Sequence, residues 1–158
     1  MYYIQDTILG NSYAVTTDYI SIQSTETRAI LIKNPLGNTK PILVSQVAIG
    51  SNASIVIEGR NFLKAYLDPS PSDNGTLLSA QNMKCGSPNI AAGEIYKNPT
   101  VADDSKGLHT VTRTFVFKGS SDSVKQVICI DPGHSVLVTC EGSVANNVHF
   151  DINWLEPT

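Results

Sequence analysis

Three histidines and three cysteines are the residues of this sequence best suited to metal or nucleophilic chemistry, and their spacing works against both. His109, His134 and His149 stand on or beside expected strands with no H-x-x-x-H pair, so they read as strand or surface histidines rather than a ligand set. Cys85, Cys129 and Cys140 form an odd set without C-x-x-C spacing, which gives neither a disulfide framework nor a zinc site. Cys129 and Cys140 lie among apolar neighbours with no flanking cation to favour a thiolate, and all three are expected to be buried free thiols. Asp103-Asp104-Ser105 could offer oxygens to Ca²⁺, but that ion takes about six to eight, and adjacent acids in such a loop read first as solvated turn residues. Neither Gly-x-Ser-x-Gly nor a phosphate-cradling glycine loop is present. No catalytic, cofactor-binding or metal residue is therefore assigned.

The elements that would carry any other function are those of a single domain. A chain of 158 residues can bury about 70% of the surface its unfolded form exposes, enough for one core without metal or disulfide. Charged residues make up 16%, below the typical ~25%, with Ser, Thr and Asn in their place. The net charge of −3 and the scattering of basic residues from Arg28 to Lys125 give no footprint for nucleic acid. Met1-Tyr2-Tyr3-Ile4-Gln5-Asp6 has neither the basic start nor the apolar stretch of a secretory signal, so the sequons at Asn52 and Asn74 carry no weight. The apolar run Ala29-Ile30-Leu31-Ile32 falls far short of the roughly 20 residues that span a bilayer, and no membrane partner is expected.

Period-two alternation and short apolar runs between turn residues point to strands almost throughout. Arg28 to Lys33 is one, closed by the turn Asn34-Pro35-Leu36-Gly37-Asn38. Ile42 to Ile49 is the next. Its alternation puts Ile42, Val44 and Gln46 on one face and Leu43, Ser45, Val47 and Ile49 on the other, which suggests a strand covered on both sides. Ala53 to Glu58 and Phe62 to Leu67 would complete a meander, with a helical turn over Asn61 to Tyr66 as the alternative. Asp68 to Gly75, with two prolines, reads as a loop rather than a linker between domains, because neither half alone has a complete core pattern, and Asn82 to Gly93 as a stretch with little regular structure. Later strands are expected over Leu108 to Lys118, Val124 to Ile130, Ser135 to Glu141 and Val148 to Leu155. In the last, Val148, Phe150, Ile152 and Trp154 share one face, and that shared phase favours the core over a subunit contact for Trp154. Evenly spaced strands of this kind predict an all-β fold, an antiparallel β-sandwich or jelly roll over 28–158 with an extended N-terminal segment over 1–27.

That N-terminal segment is the candidate binding element. It has two readings: an ordinary pair of edge strands, or an arm that packs on a partner through Tyr2, Tyr3, Ile4, Ile8, Leu9, Tyr13, Val15 and Tyr19. Burying such side chains at an interface is worth about 1.5 to 3 kcal/mol each.

Several segments, in order, resemble a group of tailed-phage virion proteins. They are Ala29-Ile30-Leu31-Ile32-Lys33-Asn34-Pro35 with the aliphatic strand ending Val47-Ala48-Ile49, then Ala91-Ala92-Gly93-Glu94-Ile95-Tyr96-Lys97-Asn98-Pro99-Thr100-Val101. Val127-Ile128-Cys129-Ile130-Asp131-Pro132-Gly133-His134-Ser135-Val136-Leu137-Val138 and the ending Phe150-Asp151-Ile152-Asn153-Trp154-Leu155-Glu156 follow. The resemblance runs from residue 28 to the C-terminus; His134 replaces an acidic or small residue after Pro-Gly, and residues 1–27 match no pattern of the group. It implies a non-enzymatic particle component without cofactor, assembled in the bacterial cytoplasm into the virion. The partner would be the major capsid protein or another virion protein, and the state a homotrimer. A decoration protein clamping capsid subunits is the first expectation, a head-fibre or tail-fibre module the second, and a stand-alone carbohydrate-binding β-sandwich the third.

Overall fold

Runs of β-branched and aromatic residues punctuated by Gly, Pro and Asn build strands that cross from one layer to another. The computed structural model describes residues 9–51, 61–103, 112–115, 122–124, 128–142 and 146–157. Within them lie β1 (Ser12–Thr16), β2 (Ile20–Ile22), β3 (Thr27–Lys33), β4 (Ile42–Ser51), β5 (Asn61–Leu67), β6 (Ser70–Asp73), β7 (Thr76–Leu77) and β8 (Gln81–Asn82). They continue with β9 (Glu94–Lys97), β10 (Thr100–Asp103), β11 (Thr112–Phe115), β12 (Asp122–Val124), β13 (Ile128–Ile130), β14 (Ser135–Gly142) and β15 (Asn146–Leu155).

One sheet runs β12-β4-β15-β1-β8, with β13 also on β4 and β2 also on β15; the other runs β11-β5-β14-β3-β9-β7, and β6 pairs with β10 apart from both. Ladders are antiparallel throughout the described pairs. Tyr13, Val44, Phe150, Ile152 and Trp154 of the first sheet and Ile30, Ile32, Ala65, Val136 and Cys140 of the second belong to one buried cluster. The fold is thus an all-β sandwich, as the alternation predicts. Among the described residues no helix is long and apolar enough to cross a membrane.

Several local expectations change. The meander does not form, because β3 and β5 lie in one sheet and β4 in the other. A chain that alternates between layers produces the same spacing of strands and turns as a hairpin series, so the sequence does not separate the two. Asn61 to Tyr66 is strand and not a helical turn, paired along its length with β14. Part of the expected 68–75 loop is β6, whose pairing with β10 tolerates Pro71 through register shifts on either side of Val101. The expected strand over 53–58 lies outside the described residues.

The mixed alternation of β4 has a specific cause. Asn153 pairs with Gln46 and Trp154 with Val44, so Ser45 is an extra residue in β4, a β-bulge that resets the phase. Ile42 and Val44 before it and Val47 and Ile49 after it therefore all face the core. Ser45 Oγ donates to the Asn153 carbonyl at 3.1 Å, which ties the bulge to its partner strand. A second irregularity joins β1 to β2. Thr16 pairs with Asp151 and Ile20 with Val148, leaving three residues opposite two. Thr17 closes this gap: its amide donates to the Phe150 carbonyl and its hydroxyl accepts from the Phe150 amide, both at 2.9 Å.

Leu31, Leu137 and Tyr66 lie in register in the second sheet and are buried, although they are not part of the shared core cluster. Near them Glu26 accepts from Tyr66 Oη at 2.7 Å and from Thr139 Oγ1, with Lys64 Nζ at 3.5 Å. Burial alone would push the Glu26 carboxyl up, but these donors together outweigh it and hold the carboxyl below its ordinary range. A depressed carboxyl contributes stability above the unfolded-state pKa that is lost as pH falls through the folded one. Stability measured from about pH 6 down to about pH 3 should therefore decline. Glu26→Gln should be less stable than the parent near neutrality and flatten that decline; an unchanged acid limb would dissociate Glu26 from it.

Candidate partner-binding surface

The large apolar side chains left exposed among the described residues are Leu9, Tyr19, Leu36, Leu77, Met83 and Ile90. Four of them, Leu9, Leu77, Met83 and Ile90, belong to segments that converge at one corner of the sandwich, where β8 joins the first sheet and β7 the second. Met83 follows β8 directly, its amide donating to the Ser12 carbonyl at 2.9 Å. Leu77 and Ile90 line a cleft of about 380 Å³ with Tyr13, Leu78, Ala80 and Ala91. Leu9 is tied to the same place by Asn89 Nδ2, 3.4 Å from its carbonyl. Ile90 is 89% exposed, too much for a residue that serves only the core of its own chain.

The loop that presents Met83 and Ile90 is held firmly despite lacking regular structure. Asn82 Nδ2 donates to the carbonyls of Gly10 and Asn89, Asn89 Nδ2 to that of Gly10, and Tyr13 Oη to that of Ile90. The strongest anchor is Glu156. Its carboxylate accepts from the amides of Ala92 and Gly93 at 2.8 to 2.9 Å and from Trp154 Nε1 at 2.9 Å. The terminal Trp-x-Glu therefore fastens residues 92–93 onto the core. Charge is nearly absent as well, since the twenty residues 74–93 contain one charged side chain, Lys84. An apolar, preordered surface depleted of charge is the composition of an interface core.

The residues expected to form the binding arm divide. Leu9 belongs to this corner, whereas Tyr19 is exposed elsewhere, its ring edge-on to His149 at 6.0 Å. Tyr13 and Val15 are corrections: both are core residues of β1, and the Tyr13 ring stacks on Trp154 at 5.7 Å. Burial next to Glu156 also pushes the Tyr13 hydroxyl pKa up. Ile20 and Ile22 of β2 are buried too, so the part of the 1–27 segment from residue 12 to 22 is built into the first sheet, β1 lying between β15 and β8. Tyr2, Tyr3, Ile4 and Ile8 lie outside the described residues. Leu77, Met83 and Ile90 were not legible as a site, because isolated apolar residues in a polar stretch have no period; the scarcity of charge over 74–93, broken only by Lys84, was the available signal.

The thiols and histidines are dispersed. Cys140 is buried, and burial first and then Glu141 push its thiol up to about 12. Cys85 and Cys129 correct the expectation of burial: both are exposed, Cys129 because Ile128 and Ile130 flank it in β13 and Ile130 takes the core face. Cys129 lines a cleft of about 190 Å³ that also contains Asp68 and His134. There His134 Nδ1 lies 2.8 Å from Asp68 Oδ2, and the Ser135 amide donates to Asp68 Oδ1 at 3.1 Å. Burial raises the Asp68 carboxyl, but these two partners outweigh it and leave it lowered. Asp68 holds φ at +48°, a left-handed conformation that this pairing stabilises. His149 stands apart, with Asp151 Oδ2 3.8 Å from its Nε2. Among the described residues no group of three or more His, Cys, Asp or Glu is placed to hold a metal ion. His109, Asp104 and Ser105 lie outside them.

No family model matches the chain, and no curated protein matches it.

Proposed function

We propose that this chain is a non-enzymatic structural protein of a tailed-phage particle, a decoration protein that binds the outer surface of the major capsid shell. The observation that carries the reading is the corner itself: Leu77 of β7 and Met83 and Ile90 of the preordered loop that follows stand exposed in a nearly uncharged stretch, with the Leu9 backbone tied to that loop. The resemblance of the ordered motifs from residue 28 onward names the class of partner. Residues 2–8, with Tyr2, Tyr3, Ile4 and Ile8, lead directly into Leu9 and would extend the same apolar contact.

Two changes test it. In one, Leu77→Asp is combined with Ile90→Asp; in the other, residues 2–8 are removed, since a longer deletion would take Tyr13, Val15, Ile20 and Ile22 out of the core. Each variant should keep its melting temperature within about 2 °C, because surface changes of this kind are nearly neutral for folding. Each should lose at least about tenfold in affinity for particles stripped of the protein. Full binding by both variants would remove the corner and the segment from the interface. The copy number in purified particles separates the roles: one copy for every few capsid subunits fits decoration, and far fewer fits a head-fibre or tail-fibre module instead.

A further inference from the structure

At the end of the first sheet a second cleft, of about 330 Å³, is lined by Asn11, Asn38, Thr39, Lys40, Pro41 and Glu156 among others. It lies across the ends of three adjacent strands: the residue before β1, the turn entering β4 and the residue after β15. Its walls are prebuilt. The Glu156 amide donates to the Asn11 carbonyl at 2.8 Å, Asn34 Nδ2 to the Lys40 carbonyl at 2.9 Å and Asn38 Nδ2 to the Ala92 carbonyl at 3.2 Å.

The hydrogen-bonding capacity here is incompletely used. Asn11 is more than nine-tenths buried, yet its Nδ2 has no hydrogen-bond partner among the described residues, a costly condition for a covered amide. A turn of that side chain toward the cleft would give up only the 3.5 Å contact from Asn89 Nδ2 to Asn11 Oδ1. Thr39 and Lys40 are exposed on the rim, and among the described residues no hydrogen bond or ion pair engages either side chain. On the acceptor side stand Glu156 Oε2, which takes one N–H against three for Oε1, and Asn38 Oδ1.

Donors and acceptors are thus interleaved, and the one cation on the rim balances the one carboxylate. This selects a neutral ligand whose groups donate and accept together, as sugar hydroxyls do. A simple anion would meet Glu156. An extended peptide would seek an unpaired strand edge and pockets for alternate side chains, but the cleft lies at strand ends, and Ile42 in its floor is already buried. We infer that this cleft is a saccharide site, accepting one or two rings of a neutral glycan, with Asn11, Thr39 and Lys40 donating and Asn38 and Glu156 accepting. Its volume falls within the roughly 300–1,000 Å³ of small-molecule sites. The inference stands independently of the assembly reading.

The test is a titration of the isotope-labelled full chain with neutral disaccharides of hexose and of N-acetylhexosamine, and in parallel with a blocked glycine-alanine peptide, followed by amide chemical shifts. One of the disaccharides should bind with Kd of about 1 mM and shift Asn11, Asn38, the 37–41 turn and Glu156. Lys40→Ala and Thr39→Val, both at exposed positions, should each weaken it about three- to tenfold with the melting temperature unchanged. No shift with any disaccharide up to about 50 mM overturns the inference. So do shifts that persist unweakened in a variant combining Lys40→Ala with Thr39→Val, and so does preferential binding of the peptide.

Discussion

Trp154→Ala should cost about 3 to 5 kcal/mol of folding stability, the largest single effect expected in this sandwich. Trp154 has no exposed surface, pairs with Tyr13 on one side and Val44 on the other, and stacks against the Tyr13 ring with an interplanar angle of 26°. Truncation would leave a cavity among β-strands whose ladders prevent them from closing on it, so the lost transfer energy and the cavity cost add. At about 2 to 4 °C per kcal/mol for a domain of this size, melting should fall by roughly 6 to 20 °C. Chemical denaturation followed by circular dichroism measures it without the indole. Trp154→Phe separates the two roles of the residue: it fills most of the volume but cannot donate to Glu156. Its stability loss should be about 1 to 2 kcal/mol, accompanied by faster hydrogen exchange at the Ala92 and Gly93 amides. A loss below about 1 kcal/mol for the alanine variant would show that the Tyr13–Trp154 contact does not organise the core.

How far that core was legible depends on whether a strand keeps its phase. β15 keeps it over its whole length, and Val148, Phe150, Ile152 and Trp154 could be assigned inward from alternation alone. β4 does not, because Ser45 shifts the phase by one residue, and a bulge leaves the same trace in a sequence as a strand buried on both faces. Tyr13 and Val15 were ambiguous for another reason. An apolar residue near a chain terminus reads the same whether it packs on its own domain or on another, and only the ladder of β1 with β15 resolves it. The polar cleft and the apolar corner were illegible because both are made largely by loops and strand ends. Asn11, Lys40 and Glu156 are separated by much of the chain, and no local period records that strand ends converge. Trp-x-Glu could be noticed as a motif, but its meaning, a carboxylate reaching back to residues 92 and 93, belongs to the tertiary structure.

Asn34 illustrates the same limit and carries the second large expectation. In the sequence it is a turn former before Pro35; in the fold it is 1% exposed and joins two turns that are far apart in the chain. Its amide donates to the His134 carbonyl at 3.0 Å and its carbonyl accepts from Gly133 at 2.8 Å. Its Nδ2 donates to the carbonyls of Ile130 at 2.8 Å and Lys40 at 2.9 Å, while Oδ1 accepts from Asn38 Nδ2 at 2.6 Å. Gly133 holds φ at +84°, a left-handed conformation that other residues adopt only with strain, so the turn facing Asn34 is itself set by its glycine. Asn34→Leu keeps the volume and removes all three side-chain bonds. Leaving the buried Ile130 carbonyl unsatisfied and the Asn38 amide short of a partner should cost about 3 kcal/mol, since each orphaned buried group costs about 1 to 3 kcal/mol. Asn34→Asp distinguishes the loss of donors from a change of packing. The new carboxylate would face two carbonyls to which it cannot donate, so its folded-state pKa should rise above the ordinary value. A raised carboxyl retains most stability below its unfolded pKa and loses it as pH rises toward the folded one. The aspartate variant should therefore be closest to the parent near pH 4 and fall furthest behind at about pH 7, whereas the leucine variant should lag by the same amount at both. If the aspartate variant lags equally at both, the Asn34 bonds are not what joins the two turns.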